Sequence, residues 1–169
     1  MKEYKRYVEE AREKKEDFRF ANSSTDHAKI LIENIILDAN RNIKILTDSF
    51  NEFFYNQLKE NFINFLKKDA NNKLEIILSS KEKNSLLDEL KSKFLDQVSV
   101  ILIDKEKLPK DKETEEIVNY IVNDNNAFRY EYSDKDLEYG VVEAVANFNN
   151  KSDADSLISN FEQIKKVAA

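Results

Sequence analysis

The strongest constraint on the fold is an alternation of two apolar periods between residues 24 and 103. Three segments carry apolar residues at helical spacing, beginning at Ser24, near Phe53 and at Ser85, and a short β-rich run follows each. The predicted strands are 43–47, 74–78 and 98–103. Strands separated by helices of this length pair in parallel, with the helices covering the sheet. This part of the chain therefore predicts an α/β fold.

The pattern changes beyond residue 103. In chain order, the sequence predicts a charged loop (104–116), a hairpin (118–122 and 128–132), an acidic turn (133–140), a strand (141–148) and a helix that begins at Ser152. The hairpin turn, 123–126, consists of Asn and Asp, which tolerate positive φ. The expected architecture is therefore a mixed sheet with helices on both faces.

The first twenty residues predict a separate charged helix. Tyr4, Tyr7, Val8 and Ala11 form one narrow apolar stripe along it. Such a helix either docks on the domain or serves as an arm for a partner. We therefore divide the chain into an N-terminal helix, 1–20, and one α/β domain, 21–169, whose length suits a single core.

Scarce residue types exclude several kinds of chemistry. The chain has no Cys, one His and one Gly, which excludes disulfides, Cys metal sites, a two-histidine mechanism within one chain and Gly-rich phosphate loops. The sequence predicts no cofactor and no metal. Two acidic clusters, at Glu113, Glu115 and Glu116 and at Asp134, Asp136 and Glu138, lack calcium-loop spacing and are expected in solvated loops.

The net charge and the apolar segments indicate which partners are expected. A net charge of −6 disfavours general nucleic-acid binding, although a local basic patch stays open. No stretch approaches the roughly 18 apolar residues of a membrane span, and no signal-peptide core precedes the first helix. We expect a soluble cytoplasmic protein that does not bind membranes.

Three stretches resemble the phospholipase D-like superfamily, in particular small bacterial single-domain members. They are FANSSTDHAKILIENIILDANRNIKILTDSF (20–50), NKLEIILSS (72–80) and NYIVNDNNAFRYEYSDKDLEYGVVEAVANFNN (119–150). They are similar to the family's opening helix and first strand, its second strand, and its late hairpin and closing segment. The resemblance spans residues 19 to 167 and implies the family's fold.

The resemblance also implies a degenerate catalytic motif. The family signature is His-x-Lys with a following Asp. Two copies meet, from two halves of a chain or two subunits; one His attacks phosphorus and the other protonates the leaving oxygen. Asn119 stands in place of the nucleophile and Ile121 in place of the lysine, and Asp124 alone resembles the pattern. Because an amide is neither nucleophile nor proton shuttle near neutral pH, the family's chemistry is expected to be lost.

His27-Ala28-Lys29 also satisfies His-x-Lys, but Asn34 stands where the Asp would be. The match lies in the first turn of a predicted helix, whereas the family motif belongs on a strand. We therefore expect His27 to have a surface or capping role. A catalytic role is the alternative.

Other polar residues allow two interpretations. Asp48 and Ser49 follow a predicted parallel strand, so they either line the usual α/β ligand crevice or cap the next helix. Arg129 and Glu131 share one face of the hairpin, as an ion pair or as ligand contacts. Phe53 and Phe54 cannot point the same way on a helix, so one serves the core while the other can reach a dimer or partner surface.

These observations predict a non-catalytic phospholipase D-like domain that acts as a binding or regulatory module in a bacterial or phage system. The family resemblance suggests a homodimer. Two alternatives stay open. One is a phosphodiesterase or nuclease with an atypical or partner-completed site, and the other is a nucleic-acid-binding accessory protein.

Overall fold

The computed structural model describes residues 1–113, 115–132 and 143–168. In these ranges the chain forms six α-helices and seven strands. They are α1 (Lys2–Lys14), β1 (Phe20–Asn22), α2 (Thr25–Asp38), β2 (Asn42–Thr47), α3 (Glu52–Tyr55), α4 (Lys59–Lys68), β3 (Lys73–Leu78), α5 (Ser85–Lys93), β4 (Val98–Leu102), β5 (Asn119–Asn123), β6 (Phe128–Glu131), β7 (Ala144–Asn147) and α6 (Lys151–Ala168). The predicted acidic turn, with Asp134, Asp136 and Glu138, lies outside the described residues, as do the first two residues of the predicted strand 141–148.

The strands form one mixed sheet in the order β1-β7-β6-β5-β2-β3-β4. Strands β2, β3 and β4 run parallel, because a helical segment joins each to the next. Strand β5 is antiparallel to β2, and the remaining pairs are also antiparallel. The structure therefore confirms the prediction of an α/β fold with a mixed sheet.

Helices cover both faces of the sheet, and each face has its own apolar core. Strand residues such as Ile45 and Ile76 pack with residues of α1, α2, α4 and α5. The alternate residues, such as Leu46 and Ile77, pack with α6 on the other face. Side-chain alternation along the strands thus separates the two cores.

The helix predicted from Phe53 to Lys68 is two helices. Asn51 caps α3 by accepting a hydrogen bond from the Phe54 amide at 2.8 Å. A single 3₁₀ turn, Asn56–Leu58, then separates α3 from α4. Phe54 is buried, whereas Phe53 is 63% exposed, so the two adjacent rings point to different environments.

The N-terminal helix lies against α2. Val8 and Ala11 of α1 are buried, and the Arg12 side chain donates to Asn34 of α2 at 2.8 Å. Strand β1, which the sequence did not predict, then pairs with β7 and crosses the expected boundary at residue 20. The structure thus shows the docked arrangement of the first helix.

Charged residues attach α6 to the sheet. Lys44 and Glu75 are neighbours on β2 and β3, and they form an ion pair. Lys165 of α6 contacts Glu75 at 2.6 Å, and Glu162 contacts Lys44 at 3.1 Å. The Lys44 ammonium also lies 5.3 Å from the centre of the Phe161 ring, so this helix is held by both charge and apolar contact.

Candidate functional site

Six polar residues meet at the edge of the sheet where β2 ends and β5 begins. Strand pairing places Asn22, Glu131 and Asn119 in one row across the sheet, and Thr47 continues that row on β2. Arg129 lies one layer deeper, and Asp48 follows Thr47. We call Asn22, Thr47, Asp48, Asn119, Arg129 and Glu131 the polar edge. The carboxyl ends of parallel strands are the usual ligand side of an α/β sheet.

The Asn119 carboxamide stabilises the end of β2. Its Oδ1 atom accepts a hydrogen bond from the Asp48 backbone amide at 3.0 Å and lies 2.8 Å from the Thr47 hydroxyl oxygen. That hydroxyl also lies 2.8 Å from the Ser49 carbonyl oxygen, so its single proton serves one acceptor at a time. The Asn119 oxygen therefore extends the pairing of β5 with β2 by one residue.

Asp48 contacts residues of two further loops. Its carboxylate accepts a hydrogen bond from the Ser79 hydroxyl and forms an ion pair with Lys105 at 2.7 Å. Ser49 is exposed. Because Asn51 caps α3, the structure assigns the expected capping role to neither Asp48 nor Ser49. Asp48 instead joins the loops that follow β2, β3 and β4.

Arg129 and Glu131 form a buried ion pair. The Arg129 Nη1 atom lies 3.0 Å from Glu131 Oε2, and each residue is only 4% exposed. The Arg129 Nε atom donates to the Asn22 side-chain oxygen at 3.1 Å. Burying two charges is costly unless they are paired and hydrogen-bonded, and this geometry provides both. Of the two interpretations of these residues, the structure shows the ion pair.

Two tyrosines lie near Arg129, and the single histidine stacks on one of them. Burial raises the pKa of Tyr4 to about 12, and the nearby charge of Arg129 opposes that rise. Burial also raises the pKa of Tyr55 above its usual range, while Arg129 opposes the rise and Glu131 adds to it. The His27 ring stacks on Tyr4 with ring centres 3.8 Å apart. Both phenols are therefore neutral at physiological pH, and His27 packs against α1.

Asp124 lies at the opposite end of β5 from Asn119. Its two carboxylate oxygens accept hydrogen bonds from the backbone amides of Asn40 and Arg41, each at 2.9 Å. It therefore fastens the β5–β6 turn to the connection between α2 and β2. The structure does not bring Asp124 into the polar edge, because the other four residues of β5 lie between it and Asn119.

A polar cleft of about 490 Å³ lies next to the polar edge. The loops after β2 and β3 form it, and its lining includes Ser49, Phe53, Ser80 and Lys83. Across the described ranges, no group of three His, Asp or Glu side chains is arranged to hold a metal ion. Glu113, Glu115 and Glu116 are exposed.

No family model matches the sequence, and no curated protein matches it. Solved structures share its fold, among them the following two. TrmBL2, an archaeal chromatin protein with a novel mode of DNA binding, matches with a TM-score of 0.63 at 13% identity, over 91% of this chain and 54% of that chain. Phosphatidylserine synthase from Haemophilus influenzae Rd KW20, a phospholipase D-superfamily member, matches with a TM-score of 0.59 at 11% identity, over 89% of this chain and 38% of that chain.

The fold is phospholipase D-like. At these identities the likeness concerns the fold alone, and the chain spans about half of TrmBL2 and less than two fifths of the synthase. Within the described ranges, no helix is long and apolar enough to cross a membrane.

In this phospholipase D-like fold, the sequence located most of the polar edge. Asn119, Arg129, Glu131 and Asp48 meet there, with Ser49 at its rim. Sequence reasoning missed Asn22, Thr47, Tyr4 and Tyr55. Thr47 ends the predicted strand β2, which was an available signal, whereas Asn22 ends a strand that the sequence did not predict. No sequence pattern indicated that Tyr4 and Tyr55 would approach Arg129.

Proposed function

We propose that this chain is a non-catalytic phospholipase D-like domain that acts as a binding or regulatory module. One observation carries the proposal. At the position that corresponds to the family's nucleophile, the Asn119 oxygen accepts hydrogen bonds that hold the end of β2. A carboxamide used in this way has neither a nucleophilic atom nor a proton to transfer near neutral pH.

The neighbouring positions support the same proposal. Ile121, in place of the family's lysine, is 2% exposed and belongs to the apolar core. A lysine there would bury an ammonium group directly opposite the Arg129 cation in the strand register, which is strongly unfavourable. His27 stacks on Tyr4 from the first turn of α2, and its backbone amide donates to Ser24 Oγ at 3.2 Å. The one histidine thus has a packing role away from β5.

A phosphodiesterase assay tests the proposal. We expect the purified protein to hydrolyse bis(p-nitrophenyl) phosphate no faster than buffer does, with or without EDTA. The His27→Ala and Asn119→Ala variants should give the same baseline. Metal-independent hydrolysis that His27→Ala abolishes would instead establish the alternative, a phosphodiesterase or nuclease with an atypical or partner-completed site.

The family resemblance further supports a homodimer in the cytoplasm of a bacterial or phage system, because members with one motif per chain generally pair. The exposed Phe53 ring at the rim of the polar cleft is a candidate contact. Sedimentation equilibrium should give twice the mass of the chain. A monomer at every accessible concentration would contradict this part of the proposal.

A nucleic-acid-binding accessory protein is the second candidate, and the DNA binding of TrmBL2, which shares the fold, favours it. The net charge of −6 opposes it. Fluorescence anisotropy with labelled duplex DNA separates the two candidates. A binding module for another ligand should show no steeply salt-dependent association, whereas tight binding that weakens sharply between about 50 and 200 mM salt would support the accessory role.

A further inference from the structure

Strand β4 forms one edge of the sheet, and only its inner side is paired, with β3. The Gln97 carbonyl accepts a hydrogen bond from β3 at 2.9 Å, and the Ile103 amide donates one to β3 at 3.0 Å. The direction of the backbone groups alternates from residue to residue along a strand. The backbone groups of Val98, Val100 and Leu102 are therefore directed away from the sheet.

Most of these outward backbone groups are unused. The Val98 amide donates to the Phe94 carbonyl at 3.0 Å. Among the described residues, the Val98 carbonyl and both backbone groups of Val100 and of Leu102 have no hydrogen-bond partner. A row of free amides and carbonyls along a sheet edge is a template for a further strand.

The side chains of β4 do not protect this edge. The strand reads Val-Ser-Val-Ile-Leu, without a charged residue or a proline, and these are the usual means of preventing edge-to-edge pairing. Leu102 is 53% exposed, and Val100 and Ile101 are half-buried. A further strand beside β4 would therefore satisfy backbone groups and cover apolar side chains together.

We propose that β4 pairs antiparallel with β4 of a second copy of this chain, about a two-fold axis at Val100 that joins the two sheets. In this register the two Val100 residues exchange both of their backbone hydrogen bonds, and the Leu102 amide donates to the Val98 carbonyl of the partner subunit. The Leu102 side chain then lies opposite that of Val98. The inference rests on the proposed function, because it names the contact surface of the proposed homodimer.

Symmetry and charge favour a second copy as the occupant. The three outward residues are symmetric about Val100, so an identical strand matches them, and it brings no charge against the apolar strand. Charges meet only beyond the strand ends, where Asp96 of one copy lies opposite Asp104 of the other. Both are exposed, and Lys107 contacts the Asp104 carboxylate at 3.8 Å, which reduces the repulsion. This like-charge contact is specific to the proposed register.

Sedimentation equilibrium of the full chain and of Leu102→Lys tests the contact surface. The substitution should weaken the dimer about tenfold, because it replaces an apolar contact at both ends of the paired strands with an ammonium group. Circular dichroism verifies that this variant, changed at an exposed position, is folded. Leu37→Lys is the matched control. Leu37 is 54% exposed on α2, so this variant should dimerise like the unmodified chain.

Asp104→Lys tests the register. It should tighten the dimer about tenfold, because attraction to Asp96 of the partner subunit replaces repulsion at two symmetric positions. The Asp104 side chain makes no capping hydrogen bond, so the fold does not depend on it. Glu60→Lys is the control, because it makes the same change of charge at an exposed position on α4. It should tighten the dimer far less.

Three results would overturn the inference. A dimer that Leu102→Lys leaves intact would have its contact elsewhere, and dissociation by Phe53→Ser would assign that contact to the rim of the polar cleft. A dimer that Asp104→Lys does not tighten would refute the register. An unmodified chain that stays monomeric would refute the homodimer itself. Only hydrolysis in the phosphodiesterase assay would refute the non-catalytic role, so the failures are distinguishable.

Discussion

The two ends of β5 carry the same side chain on the same face of the sheet, but they use it differently. Asn123 is 1% exposed and bonds through both ends of its carboxamide. Its nitrogen donates to Ile35 and Asp38, and its oxygen accepts from the amides of Asn125 and Ala127. Asn119 is half-buried, and within the described residues only its oxygen is bonded.

This difference distinguishes an end of the sheet whose polar side chains are fully hydrogen-bonded from an end where some hydrogen-bond donors have no partner among the described residues. At the Asn123 end, hydrogen bonds join α2, the β5–β6 turn and the start of β2. At the polar edge, Arg129 Nη2 has no hydrogen-bond partner in the described chain, and the hydrogen bonds of the Asn119 side chain there all involve its oxygen. A few convergent polar groups on the ligand side of an α/β sheet are typical of a binding site.

The largest effect should come from Asn123→Ala. The substitution leaves buried amides and a carbonyl without partners, so the free energy of unfolding should fall by about 3 kcal/mol. Urea denaturation followed by circular dichroism measures this loss. If Asn123→Ala cost no more than the same substitution at Asn119, the distinction between the two ends would be wrong.

Asp124→Ala should have the next largest effect, about 2 kcal/mol, because the amides of Asn40 and Arg41 both lose a charged acceptor. Asp124→Asn keeps one acceptor oxygen and should lose about half as much. The same urea titrations measure both variants. A loss for Asp124→Ala no larger than that for Asn119→Ala would contradict the fastening role of Asp124.

Asn119→Ala should cost about 1 kcal/mol, because the site is half-buried and the groups released can reach water. Asn119→Asp retains the accepting oxygen and serves as the matched control near neutral pH. Urea denaturation of the two variants in parallel gives the comparison. A loss as large as that of Asn123→Ala would show that the polar edge is primarily structural.

The smallest effect should be the loss of stability in acid that depends on Glu75. This residue belongs to β3 and lies at neither end of β5. Burial favours a higher pKa, but hydrogen bonds from Lys165 and Lys44 outweigh it and lower the pKa of Glu75 below its ordinary value of 4.5. The ion pairs therefore stabilise the protein above pH 4.5, and this stabilisation is lost as the pH falls through the folded-state pKa.

Glu75→Gln should remove this part of the acid dependence, and it should cost less than about 1 kcal/mol at neutral pH because solvent screens the partners on α6. Unfolding free energies measured from about pH 3 to pH 6 provide the test. Glu113→Gln is the control, because the Glu113 side chain is exposed and takes no part in the ion pairs of Glu75 with Lys44 and Lys165. An unchanged profile in Glu75→Gln would assign the acid sensitivity to another group.

Periodicity was sufficient to predict most of the fold. Helical and strand spacings located α2, β2, β3, α5 and β4, and the turn residues after Val122 located the hairpin. Strand β1 was missed because three residues carry too little pattern, and its place in the sheet depends on β7, far away in the chain. The division between α3 and α4 was missed because the apolar spacing continues through the 3₁₀ turn.

The candidate site was predictable only where position along a strand determines location. Asn119, Arg129 and Glu131 share one face because side chains alternate on adjacent strands, and sequence spacing conveys that. The approach of Tyr4 to Arg129 depends on how α1 packs on α2, which no local pattern specifies. The motif comparison grouped Asp124 with Asn119, although the two residues lie at opposite ends of β5, because the family motif does not indicate where β5 ends.

The position of β1 has a consequence for how the chain is made. Among the described strands, β1 emerges from the ribosome first, yet its partner in the sheet is β7, the last of them to emerge. Strands β2, β3 and β4 can pair as they appear, whereas β5, β6 and β7 must enter between β1 and β2. Such non-local pairing is slow. A nascent chain halted before β7 would therefore hold an unpaired β1 and a β6 strand with one edge open to aggregation.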